Sequence, residues 1–125
     1  MNKNYFFAVF LVFLTGCMFL KPDYVNMISP EELHQLMQSD DILLIDVHTP
    51  EQQHIKGTDF FIPYNKIEDY AKQLPEDKNT PIYLYCESGP MANAAARTLH
   101  EMGYNHLYNL EGGANAWRAK GYEFQ

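Results

Sequence analysis

PIYLYCESGPMANAAARTLHEM, residues 81–102, decides the fold. IYLY is an unbroken apolar run of strand length, which suits a strand buried on both faces. Residues 91–102 are Ala-rich and stopped by Gly103, which predicts a helix. A short loop, Cys86 to Pro90, joins the two. The same alternation runs outward in both directions. ILLIDV (42–47) reads as a second buried strand, and DFFIP (59–63) as a short one stopped by Pro63. Ser29-Pro30-Glu31-Glu32 opens a helix to about Gln38, with Ser29 as N-cap, Pro30 at N1 and Glu32 closing a capping box. Thr49-Pro50-Glu51-Gln52 repeats that signature and predicts a short helix ending near Gly57. NKIEDYAKQL (65–74) sets Ile67, Tyr70, Ala71 and Leu74 at helical spacing. YVNMI (24–28) and NHLYNL (105–110) have strand composition, and ANAWRAK (114–120) is a short helix whose Trp117 belongs in the core. Strands separated by helices make an α/β fold, a parallel sheet covered on both faces. Ligands of such sheets sit beyond the carboxyl ends of the strands, which is where Cys86 falls.

The chain has 125 residues, 46% of them hydrophobic, which is room for one domain with a real core. Sixteen acids against nine Lys and Arg give a net charge of −7, a surface that repels phosphates, so nucleic acid is not an expected partner. Two cysteines exclude a disulfide-dense scaffold, a Cys-only zinc site and a CxxC oxidoreductase.

Residues 1–16 have the layout of a signal peptide: Lys3, then the apolar run YFFAVFLVFL (5–14), then small residues before a cysteine. LTGC (14–17) resembles the bacterial lipobox. That resemblance implies cleavage before Cys17, a lipid on its sulfur, and residues 17–23 as a tether to a domain over 24–125. Met18 follows Cys17, where an Asp would resemble an inner-membrane retention signal. The expected location is the cell envelope, lipid-anchored on the extracytoplasmic side of a membrane, with each buried CH2 contributing about 0.8 kcal/mol. Cys86 is then the one thiol left unmodified in the chain.

Cys86-Glu87-Ser88-Gly89-Pro90-Met91 carries the clearest chemistry. A tight strand-to-helix loop turns its amide N–H groups into an anion nest, and the helix N-terminus adds partial positive charge. Gly89 permits positive φ or close backbone approach. A thiol held there ionises more easily, and the thiolate is the nucleophile. Asp46, ending a buried strand, reads as a structural acceptor for loop amides rather than as a catalytic acid. Glu111, before the Gly112-Gly113 turn, is a candidate second anchor of the loop. His48 and His54 share the sheet end with Asp46, but no HExxH or Cys-His spacing supports a metal, and none is expected. His34, His100 and His106 read as surface residues without partners.

LLIDVHTPEQQHIKG (43–57), IYLYCESG (82–89) and NLEGGANAWRAKGY (109–122) together resemble a single rhodanese domain. The resemblance implies a five-stranded parallel sheet with helices on both faces. It implies transfer of a sulfane sulfur without a cofactor: Cys86 attacks a small sulfur donor, becomes a persulfide, and passes the outer sulfur to cyanide or a thiol. The backbone amides of Glu87, Ser88, Gly89 and Met91 would hold the persulfide's charge. Two side chains depart from the family's usual loop. Met91 stands where a basic residue is common, and Glu87 where a basic or neutral one is. His48 takes the place of an Arg found in many relatives. Thiosulfate, a dianion, is therefore expected to be a poor donor. Arg97 lies about 9 Å further along the helix on another face and does not replace the missing cation. The rival reading is a rhodanese-fold binding module without turnover, which the acidic loop favours. A phosphatase of related fold is rejected, because Ala92 occupies the position its phosphate-holding Arg requires.

Overall fold

A computed structural model describes residues 23–125. The signal-like segment and Cys17 lie outside the described residues. Five strands form one sheet: β1 (Val25–Ile28), β2 (Leu43–Asp46), β3 (Phe60–Phe61), β4 (Ile82–Tyr85) and β5 (Leu107–Leu110), in the order β1-β5-β4-β2-β3. Every pairing is parallel, as short strands joined by crossovers require. Three α-helices cover the sheet: α1 (Pro30–Ser39), α2 (Pro90–Glu101) and α3 (Gly113–Ala119).

Two cores result, one on each face. Val25, Ile45, Ile82, Leu84 and Leu107 face Ala92, Ala95, Ala96 and Leu99 of α2. That i, i+3, i+4, i+7 spacing is one helix face, and its alanines let the helix lie close on the sheet. On the other face Leu44, Tyr83, Tyr85 and Leu110 pack against Leu33 of α1 and Ala114 and Trp117 of α3. Trp117 is 2% exposed, and its indole N–H donates to the Glu123 carbonyl at 2.9 Å, so its one polar atom is satisfied inside the core. α1 starts as expected: the Glu32 N–H donates to Ser29 Oγ at 3.1 Å. Here the Ser29 hydroxyl in turn donates to the Glu32 carboxylate, where a standard box uses the backbone N–H.

Two expected helices differ. Residues 67–73 wind as a 3-10 helix that buries Ile67, is kinked at Tyr70, and leaves Ala71 exposed. The predicted helix at 49–57 does not form. Its backbone groups are claimed by distant partners: the Ile55 N–H by the Tyr85 hydroxyl at 2.9 Å, the Lys56 N–H by the Glu123 carbonyl at 3.1 Å, with Ile55 bridging antiparallel to Phe124. A cap signal starts a helix only when the following N–H groups have no better acceptor.

Candidate active site

β2 and β4 are neighbours, with Asp46 level with Tyr85, so the segments leaving both strands run side by side at one sheet edge. The Val47 N–H bonds the Tyr85 carbonyl at 2.9 Å and continues the ladder to the start of the cysteine loop. Cys86 follows β4 directly and is 1% exposed. It opens onto a cavity of about 120 Å3 walled by His48, Glu87, Ser88, Pro90 and Met91.

The loop's conformation is set from behind, by α3. The Ala114 N–H donates to the Cys86 carbonyl at 2.8 Å, and the Asn115 N–H to the Glu87 carbonyl at 3.0 Å. In a planar trans peptide the N–H points opposite to the C=O. With those two carbonyls drawn toward α3, the N–H groups of Glu87 and Ser88 point to the other side of the loop. The Gly89 N–H donates to Cys86 Sγ at 2.9 Å, from a φ of 137° that favours glycine. Met91, second residue of α2, carries one of the N–H groups that a helix leaves without an intrahelical partner. Pro90 has none to offer. Of the four amides expected at the site, the Gly89 N–H is the one hydrogen-bonded to the sulfur among the described residues.

Asn109, in the middle of β5, is an anchor that the sequence reading missed. It is fully buried and donates to the Gly89 carbonyl at 3.2 Å and to Asn93 Oδ1 at 2.9 Å, pinning the loop to α2. An asparagine inside an otherwise apolar strand was the available signal, since a buried amide needs partners. Glu111, the candidate second anchor, is exposed and makes no side-chain hydrogen bond among the described residues. Its N–H continues the β1 pairing by donating to the Ile28 carbonyl at 2.8 Å, which leaves its carboxylate in solvent.

Asp46 is the structural acceptor expected. Fully buried, it accepts from the His48 N–H at 3.0 Å, from the Gln52 amide, and from His54 Nδ1 at 2.8 Å. His54 Nε2 lies 2.8 Å from Glu51 Oε1. Both ring nitrogens face carboxylates, and both can donate only in the imidazolium. Burial alone pulls the His54 imidazole down, yet the bonds to Asp46 and Glu51 outweigh it and raise it above the ordinary value of 6.5. A raised folded-state value stabilises the fold fully below the unfolded value, and that stability is lost as pH rises through the folded one. Urea unfolding of the wild type should therefore lose stability as pH climbs from about 6.5. His54→Gln should remove that step; an unchanged pH dependence in the variant would show that His54 is not its source.

The other histidines separate. His48 lies in the wall of the Cys86 cavity, with Nε2 3.3 Å from Glu87 Oε2. His34 stacks on Tyr122 with centroids 4.0 Å apart, and His100 on Tyr24 at 4.7 Å, so both have the partners that the sequence had not revealed. Arg97 is exposed and paired with Glu101, away from the cavity. Among the described residues no group of three or more His, Cys, Asp or Glu side chains is placed to hold a metal.

Residues 29–120 match the rhodanese-like domain. The chain belongs to the rhodanese-like domain family. It is 33% identical over 100 residues to a protein of Allochromatium vinosum named sulfurtransferase, covering 78% of this chain and 92% of that protein. It is 30% identical over 95 residues to the thiosulfate sulfurtransferase GlpE of Coxiella burnetii, covering 74% and 86%. Among solved structures, a rhodanese-like domain protein from Staphylococcus aureus superposes with a TM-score of 0.67 at 27% identity, covering 80% of this chain and 98% of that one. The five-stranded parallel sheet is thus the rhodanese-like fold. The rhodanese-like domain here carries Glu87 and Met91 at its cysteine loop, and that pair sets its electrostatics apart from a loop with a basic residue.

Proposed function

We propose that this protein is a sulfurtransferase that carries a sulfane sulfur as a persulfide on Cys86, held by a lipid on Cys17 to the extracytoplasmic side of a membrane. The observation that supports the chemistry is the Gly89 N–H on Cys86 Sγ at 2.9 Å, within a turn whose carbonyls are drawn away by α3. In the loading step the Cys86 thiolate attacks the terminal sulfur of the donor. A new S–S bond forms to Sγ, the donor's own bond to that sulfur breaks, and its electron pair leaves with the remainder of the donor. The persulfide anion then lies beside the Gly89 N–H, which is already turned to Sγ and needs no reorganisation to stabilise it. Sulfurtransferase names among the relatives support the reading, and the LTGC motif supports the anchor.

Intact mass after exposure to polysulfide tests it. The protein should gain about 32 Da, one sulfur atom, mapped to the peptide holding Cys86 and removed by reductant. A protein that gains no mass would be the rival binding module. For the anchor, Cys17→Ser should leave an uncut precursor that takes up no lipid label, and persistent labelling would reject it.

A further inference from the structure

His48 borders the cavity of Cys86. Its position follows from the ladder: Val47 is bonded to the Tyr85 carbonyl, so the next residue stands beside the cysteine loop. Its N–H is tied to Asp46 Oδ1 at 3.0 Å, and its Nδ1 lies 2.7 Å from the Pro50 carbonyl oxygen. A carbonyl only accepts, so Nδ1 carries the proton, and the neutral ring keeps its lone pair on Nε2. Nε2 lies 3.3 Å from Oε2 of Glu87, the loop residue next to Cys86, with the His48 side chain 14% exposed. The ring and the sulfur border the same small cavity. The arrangement has the parts of an activated site: a nucleophile loop, a base, and a third group that fixes the base's tautomer.

We propose that His48 is the general base that deprotonates a thiol acceptor as sulfur leaves Cys86; this deepens the sulfurtransferase reading and rests on it. The acceptor R–SH gives its proton to Nε2. Its sulfur forms a bond to the outer sulfur of the Cys86 persulfide. The bond from Sγ to that outer sulfur breaks, and its electron pair stays on Sγ as thiolate. The proton then passes from Nε2 to the released R–S–S anion, giving R–S–SH. No outside oxidant or reductant enters. Glu87 has a use here: its carboxylate faces the imidazolium that the step creates. The Glu87 carboxylate that burdens an anionic donor therefore suits a neutral, proton-bearing acceptor.

The test loads the full-length protein with one sulfur from polysulfide, then follows loss of that sulfur by mass after mixing with 2-mercaptoethanol or with sulfite. The thiol brings a proton; sulfite in mildly alkaline buffer brings none. His48→Asn keeps an amide able to donate to the Pro50 carbonyl but has no base. It should discharge to the thiol roughly a hundredfold more slowly, with a much smaller change toward sulfite. His48→Gln serves if the Asn variant takes up no sulfur. In His48→Ala, added free imidazole should restore discharge to the thiol. Equal slowing toward both acceptors, no slowing, or no rescue by imidazole overturns the base while leaving the persulfide standing. A wild type that takes up no sulfur overturns the sulfurtransferase reading, and the base with it.

Discussion

Gly113→Ala should lose several kcal/mol of stability and most of the sulfur uptake proposed for Cys86, although residue 113 lies 27 positions from Cys86 in the chain. Gly113 has φ 59°, a left-handed conformation that costs an L side chain about 1–3 kcal/mol. A Cβ built there would stand 2.5 Å from the Cys86 carbonyl oxygen and 2.6 Å from the Glu87 carbonyl carbon. Those atoms are backbone and cannot swing aside as the end of a side chain does. Overpacking of that kind adds about 1–3 kcal/mol. Relief requires α3 to retreat from the loop. That stretches the bonds from the Ala114 and Asn115 N–H groups, which hold the Cys86 and Glu87 carbonyls and so set the loop's conformation. Gly121→Ala is the matched control: its φ is 73°, but a Cβ there meets nothing within 4 Å. It should cost the conformational part alone and leave sulfur uptake intact. Urea unfolding and mass after polysulfide read both effects. Equal losses in the two variants would show that contact with the cysteine loop contributes nothing.

That dependence marks the limit of what the sequence could show. The strands ILLIDV and PIYLY, the Ala-rich α2 and the place of Cys86 between strand and helix were legible, because strand runs and helix stops are local. So was Asp46 as an acceptor, since a carboxylate ending a buried strand has to be satisfied. The false helix at 49–57 has the opposite cause. Its cap signal is local, but Tyr85, Glu123 and Phe124, which take its backbone groups, lie 30 or more residues away or in the C-terminal segment. Asn109 was not legible as an anchor, because its partners Gly89 and Asn93 lie 20 and 16 residues away in the chain. The pairing of His48 with Glu87 joins residues that no sequence spacing connects; it follows from the neighbouring of β2 and β4.

Met91→Arg should lower the Michaelis constant for thiosulfate by tenfold or more, and charge is the reason. In the wild type the Cys86 cavity is walled by Glu87, whose carboxylate repels a thiosulfate dianion, and by Met91, which contributes no charge. Met91 is half-buried, borders the cavity beside Cys86 and sits at the second position of α2. A guanidinium there would add to the helix N-terminus and donate to the sulfonate oxygens. One such charge-assisted hydrogen bond contributes roughly 1.5–3 kcal/mol, which is about tenfold to a hundredfold or more in affinity. Glu87→Gln should lower the constant less, because the carboxylate is 56% exposed and faces His48. Uncharged donors, such as elemental sulfur, should respond weakly to either change. The gain from the new Arg should shrink as salt rises, to the extent that it acts through solvent. Glu87→Gln should also slow discharge to a thiol if its carboxylate steadies the His48 imidazolium, so that one substitution improves loading from an anion and impairs delivery to a thiol. Steady-state kinetics on the wild type and both variants decide it. Efficient thiosulfate turnover by the wild type, unchanged in Met91→Arg, would show that the loop's amides suffice to hold the dianion and that side-chain charge at the loop selects nothing.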